Sequence, residues 1–245
     1  MSQKGSANQQ ASLQAVLGRL ARGLPAGPRA VVFDLDGTLL DNRPRTCAIL
    51  LARARRLSGS APETARKLAA MRPEELVYDF RDNLKQQGLS DPVQVSDIER
   101  YWRAQFFSSS WLRHDVPVRG SVAFVRACYD TGAVLIYFTG RDWQNMATGT
   151  MESLRSCGFP IATERTRLLM KPDPSIPDED FKREYAPRLC DHGRVVAAFD
   201  NEPQNCNLLA EQLPQATVFH VRTQYRSDAP TLIAGITTIV DFAMP

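Results

Sequence analysis

Apolar positions fall into two kinds of segment that alternate along much of the chain. Short continuous runs at Ala30 to Phe33, Ala133 to Phe138, Val195 to Phe199 and Thr217 to Val221 have the length and density of strands buried on both faces. A weaker run ends near Leu168-Leu169-Met170, and Ile236 to Val240 predicts a last edge strand. Between these runs the apolar residues recur at helical spacing. Ser121 to Asp130 is ended by Thr131-Gly132, a helix beyond Asp142 closes at Cys157-Gly158, and Asp178 to Leu189 and Pro203 to Gln212 follow. Glycine just past a helix and proline at its first turn are the usual stop and start signals. Strands alternating with helices predict a doubly wound parallel α/β sheet covered on both faces.

One stretch breaks the alternation. From 42 to 115 the pattern is helical throughout, with Cys47, Leu50, Leu51 and Ala54 striping Thr46 to Leu57. Pro62 to Met71 follows, then Pro73 to Gln87 with Leu76, Val77, Phe80 and Leu84 in a stripe and Gly88 as stop. Ser96 to Phe107 opens on Ser-x-x-Glu, a capping box. Asp34 and Thr139 stand 105 residues apart, whereas a βαβ unit needs about 30, so about 70 residues are surplus. The expectation is a core of 29–41 and 117–245 carrying an all-helical insertion at 42–116, bounded by Pro44 and Pro117. Residues 1–28 hold no acid, and Leu13, Val16, Leu17 and Leu20 share one helical face. They predict a Ser/Gln-rich disordered tail and a short helix docked on the core, ended by Pro25 and Pro28.

Composition narrows the class without choosing a function. The 245 residues are 43% hydrophobic and 23% charged, ordinary globular values. A net charge of +3 is too small to argue for nucleic acid as a general partner. No run approaches the ~18 apolar residues of a membrane span. Cysteines at 47, 128, 157, 190 and 206 form no Cys-x-x-Cys pair, so reduced thiols and a cytoplasmic setting are expected. The histidines at 114, 192 and 220 are scattered and take no role.

The chemistry begins where the first apolar run meets Asp34-Leu35-Asp36-Gly37-Thr38-Leu39. Alternate residues of an extended chain share a face, so Asp34 and Asp36 can reach one site beyond the strand's carboxyl end, where open α/β sheets bind ligands. Gly37 permits the sharp turn. This string resembles the nucleophile motif of the haloacid dehalogenase (HAD) superfamily, in its phosphatase and phosphomutase form. The resemblance covers roughly 30–245. It implies a Rossmann-like core with a cap inserted after the first motif, and a Mg²⁺-dependent phosphatase that hydrolyses a small phosphomonoester through an aspartyl-phosphate. It makes Asp34 the nucleophile and Asp36 the general acid–base, and assigns the Thr139 hydroxyl and Gly140 amide to a phosphoryl oxygen. It places Mg²⁺ on Asp34, the Asp36 carbonyl and Asp200; read by itself, Asp200 is as well a helix cap ahead of Pro203. Arg141 either reaches substrate or pairs with a surface acid.

Two points stay open at this level. The motif lysine is Lys171, in a Lys-Pro setting similar to capped phosphatases, or Lys182, which stands 18 residues before Asp200 as in polynucleotide 3′-phosphatase-like members; Lys182 is preferred. The second acid usual after Asp200 is missing, which leaves Asn201, Glu202 and Asn205 as supports. The resemblance also admits a nucleotide or polynucleotide end phosphatase, a phosphomutase or phosphonatase, and a non-catalytic binding module. Arg43, Arg45, Arg53, Arg55, Arg56, Arg66, Lys67 and Arg72 face Glu63 alone over 42–72, and read as a solvated helix face or as a steering patch over the site. Trp102, Phe106, Phe107 and Trp111 read as the insertion's own core.

Overall fold

The computed structural model describes residues 3–22 and 27–244, with side chains from Asn8 onward. Six parallel strands form one sheet in the order β5-β4-β1-β6-β7-β8, where β1 is Arg29–Phe33, β4 Val134–Asp142, β5 Thr166–Lys171, β6 Arg194–Asp200, β7 Thr217–Val221 and β8 Thr237–Ile239. β1 pairs with β4 on one side and β6 on the other. The chain runs outward from β1 through β4 to β5, then returns to add β6 across β1. That reversal opens a crevice at the carboxyl ends of β1 and β6, the place where doubly wound sheets bind ligands.

Alternation within the strands builds the two flanking layers. Val31, Phe33, Leu135, Tyr137 and Phe199 turn to one face, under α1 (Gln3–Ala21), α6 (Ser121–Asp130) and α7 (Trp143–Cys157). Ala30, Val32, Ile136, Phe138 and Ala198 turn to the other, under α8 (Asp178–Tyr185) and α9 (Pro203–Gln212). Phe33, Phe199 and Phe219 stack in series at 5.1 and 4.5 Å between ring centres, which ties β1, β6 and β7 together. Leu13, Val16 and Leu20 of α1 are buried in the first layer, as their spacing predicts. The helix begins at Gln3 rather than following a disordered tail. Pro25 lies outside the described residues.

The chain leaves the core along β2 (Leu40–Asp41) and returns along β3 (Val116–Pro117). The two form an antiparallel ribbon with Leu40 opposite Pro117 and Asp41 opposite Val116. Between them stand α2 (Arg43–Leu57), α3 (Pro62–Ala69), α4 (Phe80–Gln86) and α5 (Pro92–Phe106), around an apolar cluster of their own that includes Leu50, Leu68, Leu76, Leu84 and Ile98.

Helix boundaries differ from expectation at several places. α2 starts at Arg43 rather than Thr46, and the helix expected over Asp178 to Leu189 ends at Tyr185 and gives way to a 3₁₀ turn at Ala186–His192. Two differences in the insertion are larger. Pro73 to Gln87 is not one helix: a 3₁₀ turn at Pro73–Glu75 is followed by extended chain, and α4 starts only at Phe80. The Asp79 carboxylate accepts from the Arg81 and Asp82 amides and nucleates the new helix, while the Asn83 side chain bonds both the N–H and the carbonyl of Val77. α5 starts at Pro92, capped by Asp91 accepting from the Gln94 amide at 2.8 Å, so Ser96 sits inside the helix and the Ser-x-x-Glu string caps nothing. Among the described residues no helix is long and apolar enough to cross a membrane.

Candidate active site

The carboxyl ends of β1, β4 and β6 bring Asp34, Thr139 and Asp200 to the mouth of the crevice. All three side chains belong to buried residues. The Asp34 amide donates to Phe199 O at 2.9 Å, continuing the β1–β6 pairing one residue past the strand. From the far side α8 buries Phe181 in the core and presents Lys182. Its Nζ donates to Asp34 Oδ1 at 2.9 Å and to Asp200 Oδ2 at 2.7 Å. The Asp200 carboxylate is oriented in turn: Oδ1 accepts from the Glu202 amide at 2.8 Å and from Asn205 Nδ2 at 3.2 Å. Burial pushes the Asp34 carboxyl up to about 7, with Asp200 adding to the shift and Lys182 opposing it. The ion pairs hold the buried Lys182 ammonium charged, above its ordinary value.

Lys171 goes elsewhere. Its ammonium donates to Asp178 Oδ1 at 2.6 Å and Ile176 O at 3.0 Å. Asp178 also lies against Gly140, where an added Cβ would collide with its carboxylate. Of the two lysines, only Lys182 touches Asp34.

Asp36 turns away from this cluster toward two arginines. Arg141 donates from Nε to Asp36 Oδ2 at 2.6 Å and from Nη2 to Oδ1 at 2.9 Å, and Arg45 Nη2 also donates to Oδ1. Both guanidinium groups continue to Asp115, at 2.8 Å from Arg45 Nε and 2.7 Å from Arg141 Nη2. Burial alone would raise the Asp36 carboxyl, but Arg141 and Arg45 overcome it and hold the group well below the usual carboxylate range. Arg141 therefore pairs with the buried Asp115 and with Asp36 on the half-buried cleft floor, not with a surface acid. Arg45, counted in the basic run, is a fully buried link between α2 and the core. The sequence signal for it was present: Arg45 shares a helical stripe with buried Ile49, and a charge on an apolar stripe is buried only when paired. Nothing local marks Asp115.

The loop after β1 is held from behind. Gly37 has φ of +80°, and a Cβ there would stand 2.5 Å from Asn201 Nδ2, so both conformation and space demand glycine. Thr38 Oγ1 donates to Asn201 Oδ1 at 3.2 Å, and Asn201 Nδ2 donates to Gln224 O at 2.5 Å. The Gln224 side chain donates to Leu76 O in the insertion, and Tyr78 meets the Glu202 carboxylate. Of the three supports considered after Asp200, Asn205 bonds its carboxylate, Glu202 does so through its amide, and Asn201 braces the Gly37 loop instead.

The insertion roofs a cleft of about 1310 Å³. Asp34, Asp36, Thr139, Gly140, Arg141 and Lys182 line its floor, and Tyr78, Trp102, Phe106 and Phe107 line its roof. Trp102 stacks on Phe80 at 4.2 Å and packs on Phe106 at 4.7 Å, so these aromatics serve the insertion's core and the cleft wall together. Of the basic run only Arg43 lines the cleft; Arg53, Arg55, Arg56, Arg66, Lys67 and Arg72 do not. Arg53 pairs with Asp97, and Arg53 and Arg56 lie over the Tyr101 ring. A steering patch directly over the site is not what these residues form.

Among the described residues no cluster of three or more His, Cys, Asp or Glu side chains is set to hold a metal. The floor still suits a hard dication. Two buried carboxylates face one ammonium, which leaves one negative charge without a partner, and Asp34 Oδ2 receives no hydrogen bond from the described residues. Mg²⁺ is commonly held by one or two carboxylates with several waters retained.

No protein-family model matches the sequence, and a search of curated proteins finds no match. Solved structures do resemble it in fold. A provisionally named phosphatase from Clostridium difficile superposes with a TM-score of 0.55 at 15% identity, over 82% of this chain and 88% of that one. A HAD hydrolase of family IA, variant 3, from Entamoeba histolytica gives 0.51 at 13% identity, over 87% and 93%. A provisionally named beta-phosphoglucomutase from Thermotoga maritima gives 0.50 at 15% identity, over 87% and 94%. The chain has the fold of the haloacid dehalogenase-like hydrolases.

Proposed function

We propose that this chain is a Mg²⁺-dependent phosphatase of the haloacid dehalogenase superfamily, which hydrolyses a phosphomonoester through an aspartyl-phosphate. The observation that carries the reading is Lys182 set between Asp34 and Asp200, beside Thr139, at the crevice end of the sheet. Phosphoryl transfer is mostly positioning and countercharge, and this floor supplies a nucleophile, an ammonium and a hydroxyl in one place. An Asp34 oxygen attacks phosphorus in line, and the bond to the leaving oxygen breaks as that oxygen takes a proton from water in the cleft. Water then attacks the phosphorus of the aspartyl-phosphate, gives up a proton, and releases Asp34 as carboxylate. Lys182 and Thr139 bind the phosphoryl oxygens through both steps.

The family resemblance gives Asp36 both the acid and the base role; in this scheme it serves as the base. Paired with Arg141 and Arg45 it is held as carboxylate, the form that takes the proton from water in the second step. Asp34, the Asp36 carbonyl and Asp200 would hold Mg²⁺, which would screen the dianionic phosphoryl group from the carboxylates. Inserted helices α2 to α5 serve as the cap that closes over the substrate.

Hydrolysis of p-nitrophenyl phosphate is expected to need a divalent cation and to stop on chelation, with Ca²⁺ a poor substitute because it prefers six to eight looser ligands. Full turnover in excess EDTA would remove the metal from the scheme. Lys182→Ala should lower kcat by at least about 10²-fold, the scale of losing one preorganised electrostatic contact. Lys171→Ala should change it by less than about tenfold, because Lys171 meets Asp178 instead of Asp34. The reverse order in steady-state kinetics would transfer the role to Lys171.

A further inference from the structure

The roof of the cleft presents more than apolar surface. On α5 and its C-cap, Glu99, Arg103 and Phe107 recur every fourth residue, and so lie along one face of the helix. All three line the cleft, as does Arg81 of α4. Arg81 Nη2 meets Glu99 Oε2 at 2.7 Å, and Arg103 Nε approaches Glu99 Oε1 at 3.5 Å. The two arginine side chains are 64% and 63% exposed, while the glutamate between them is 15% exposed. Glu99 stands between the two guanidinium groups and Asp79 also acts on Arg81, yet most of the guanidinium donors stay turned to open space. Phe107, at the end of the stripe, is 46% exposed, at the end of an aromatic series that runs through Phe106 to Trp102.

Such a wall has no use for the phosphoryl group, which Lys182 and Thr139 bind on the floor. A bare phosphomonoester also does not fill the space: about 1310 Å³ exceeds the 300–1,000 Å³ common for drug-sized ligands. Paired exposed arginines offer a second anion the forked donors it binds best. An exposed aromatic one helical turn away offers a planar ring a stacking face.

We propose that Arg81, Arg103 and Phe107 form a subsite for the leaving group, and that the substrate is a phosphomonoester whose leaving group carries a planar ring and a second anionic group. A nucleoside bearing two phosphates is the simplest molecule of that chemistry. The proposal rests on the phosphatase reading for which group is cleaved, but not for what the roof binds.

Adenosine 3′,5′-bisphosphate and adenosine 3′-monophosphate share the scissile phosphate and leaving oxygen and differ only in the second anion. KM for the bisphosphate is expected to be at least tenfold lower. The Arg81→Gln/Arg103→Gln variant should erase most of that ratio by raising KM for the bisphosphate, and Phe107→Ala should raise KM for both nucleotides. A 3′-phosphorylated dinucleotide separates the two sources of this chemistry: a lower KM than the bisphosphate points to a nucleic-acid end, and a higher one to a free nucleotide. Equal KM values for mono- and bisphosphate in the unaltered protein, or an equal effect of the arginine substitutions on both, would overturn the subsite. If no nucleotide is turned over, calorimetry on the Asp34→Asn protein decides the matter. Bisphosphate binding at least tenfold tighter than monophosphate, lost with the two arginines, supports the subsite even as the catalytic reading fails; equal binding overturns it.

Discussion

Asp34→Asn is expected to lower turnover of p-nitrophenyl phosphate by at least about 10⁴-fold, the order at which removing a covalent nucleophile disables other enzymes. It should also abolish any acid-stable phosphoprotein. The substitution keeps the shape of the side chain and a hydrogen-bond acceptor for Lys182, so the fold is retained while the attacking oxygen is lost. Asp36→Asn should fail differently. The nucleophile remains, and nitrophenolate needs little protonation to leave, so the first step survives. The second step lacks its base, a loss of about 10²–10⁴-fold. This variant should release a burst of nitrophenol and then turn over slowly, with phosphate trapped on Asp34. Rapid-quench kinetics and the intact mass after acid quench read both outcomes. A burst-free loss of equal size in the two variants would contradict the assigned division between them.

How much of this could be read from the chain depends on whether the cause lies near in sequence. Ser121–Asp130, Pro203–Gln212 and Thr217–Val221 were legible to the residue, because apolar period and terminal Gly or Pro act within a few positions. The break before α4 was not, because it is made by Asp79 and Asn83 side chains bonding backbone amides and carbonyls. The Ser-x-x-Glu string misled for the opposite reason: Asp91-Pro92, five and four residues earlier, is the stronger start. At the site, strand-end placement brought Asp34, Thr139 and Asp200 together on paper. It also placed Arg141 at that edge, but the acids Arg141 pairs with, and Arg45, could not be found in that way. Arg45 and Asp115 are 70 residues apart and meet only because the β2–β3 ribbon brings the two ends of the insertion back to one point.

That meeting has an expected energetic cost when it is broken. Arg45, Arg141 and Asp115 have side chains 0%, 2% and 0% exposed, and with Asp36 they balance to zero charge. Asp115→Ala leaves two buried guanidinium groups on one carboxylate and removes the acceptor from two hydrogen bonds. Removing one partner of a buried pair costs about 3–5 kcal/mol, against about 0–1 kcal/mol for a partly exposed pair such as Arg53–Asp97. Urea denaturation at neutral pH should therefore show a large fall in midpoint for Asp115→Ala and almost none for Asp97→Ala. Acid titration is the weaker probe. Asp36, held below its unfolded value, stabilises above that value and loses the contribution as pH falls through the folded one. Asp115 is pushed upward by burial in spite of Arg45 and Arg141, so its contribution has the opposite sign and the two partly cancel. The double substitution Arg45→Met/Asp115→Leu removes one charge of each sign and fills the space, so it should be less destabilising than the sum of its single changes by at least about 1 kcal/mol, as coupled neighbours are. Additive losses, or a fall below about 1 kcal/mol for Asp115→Ala, would mean that the four groups do not bind the insertion to the core.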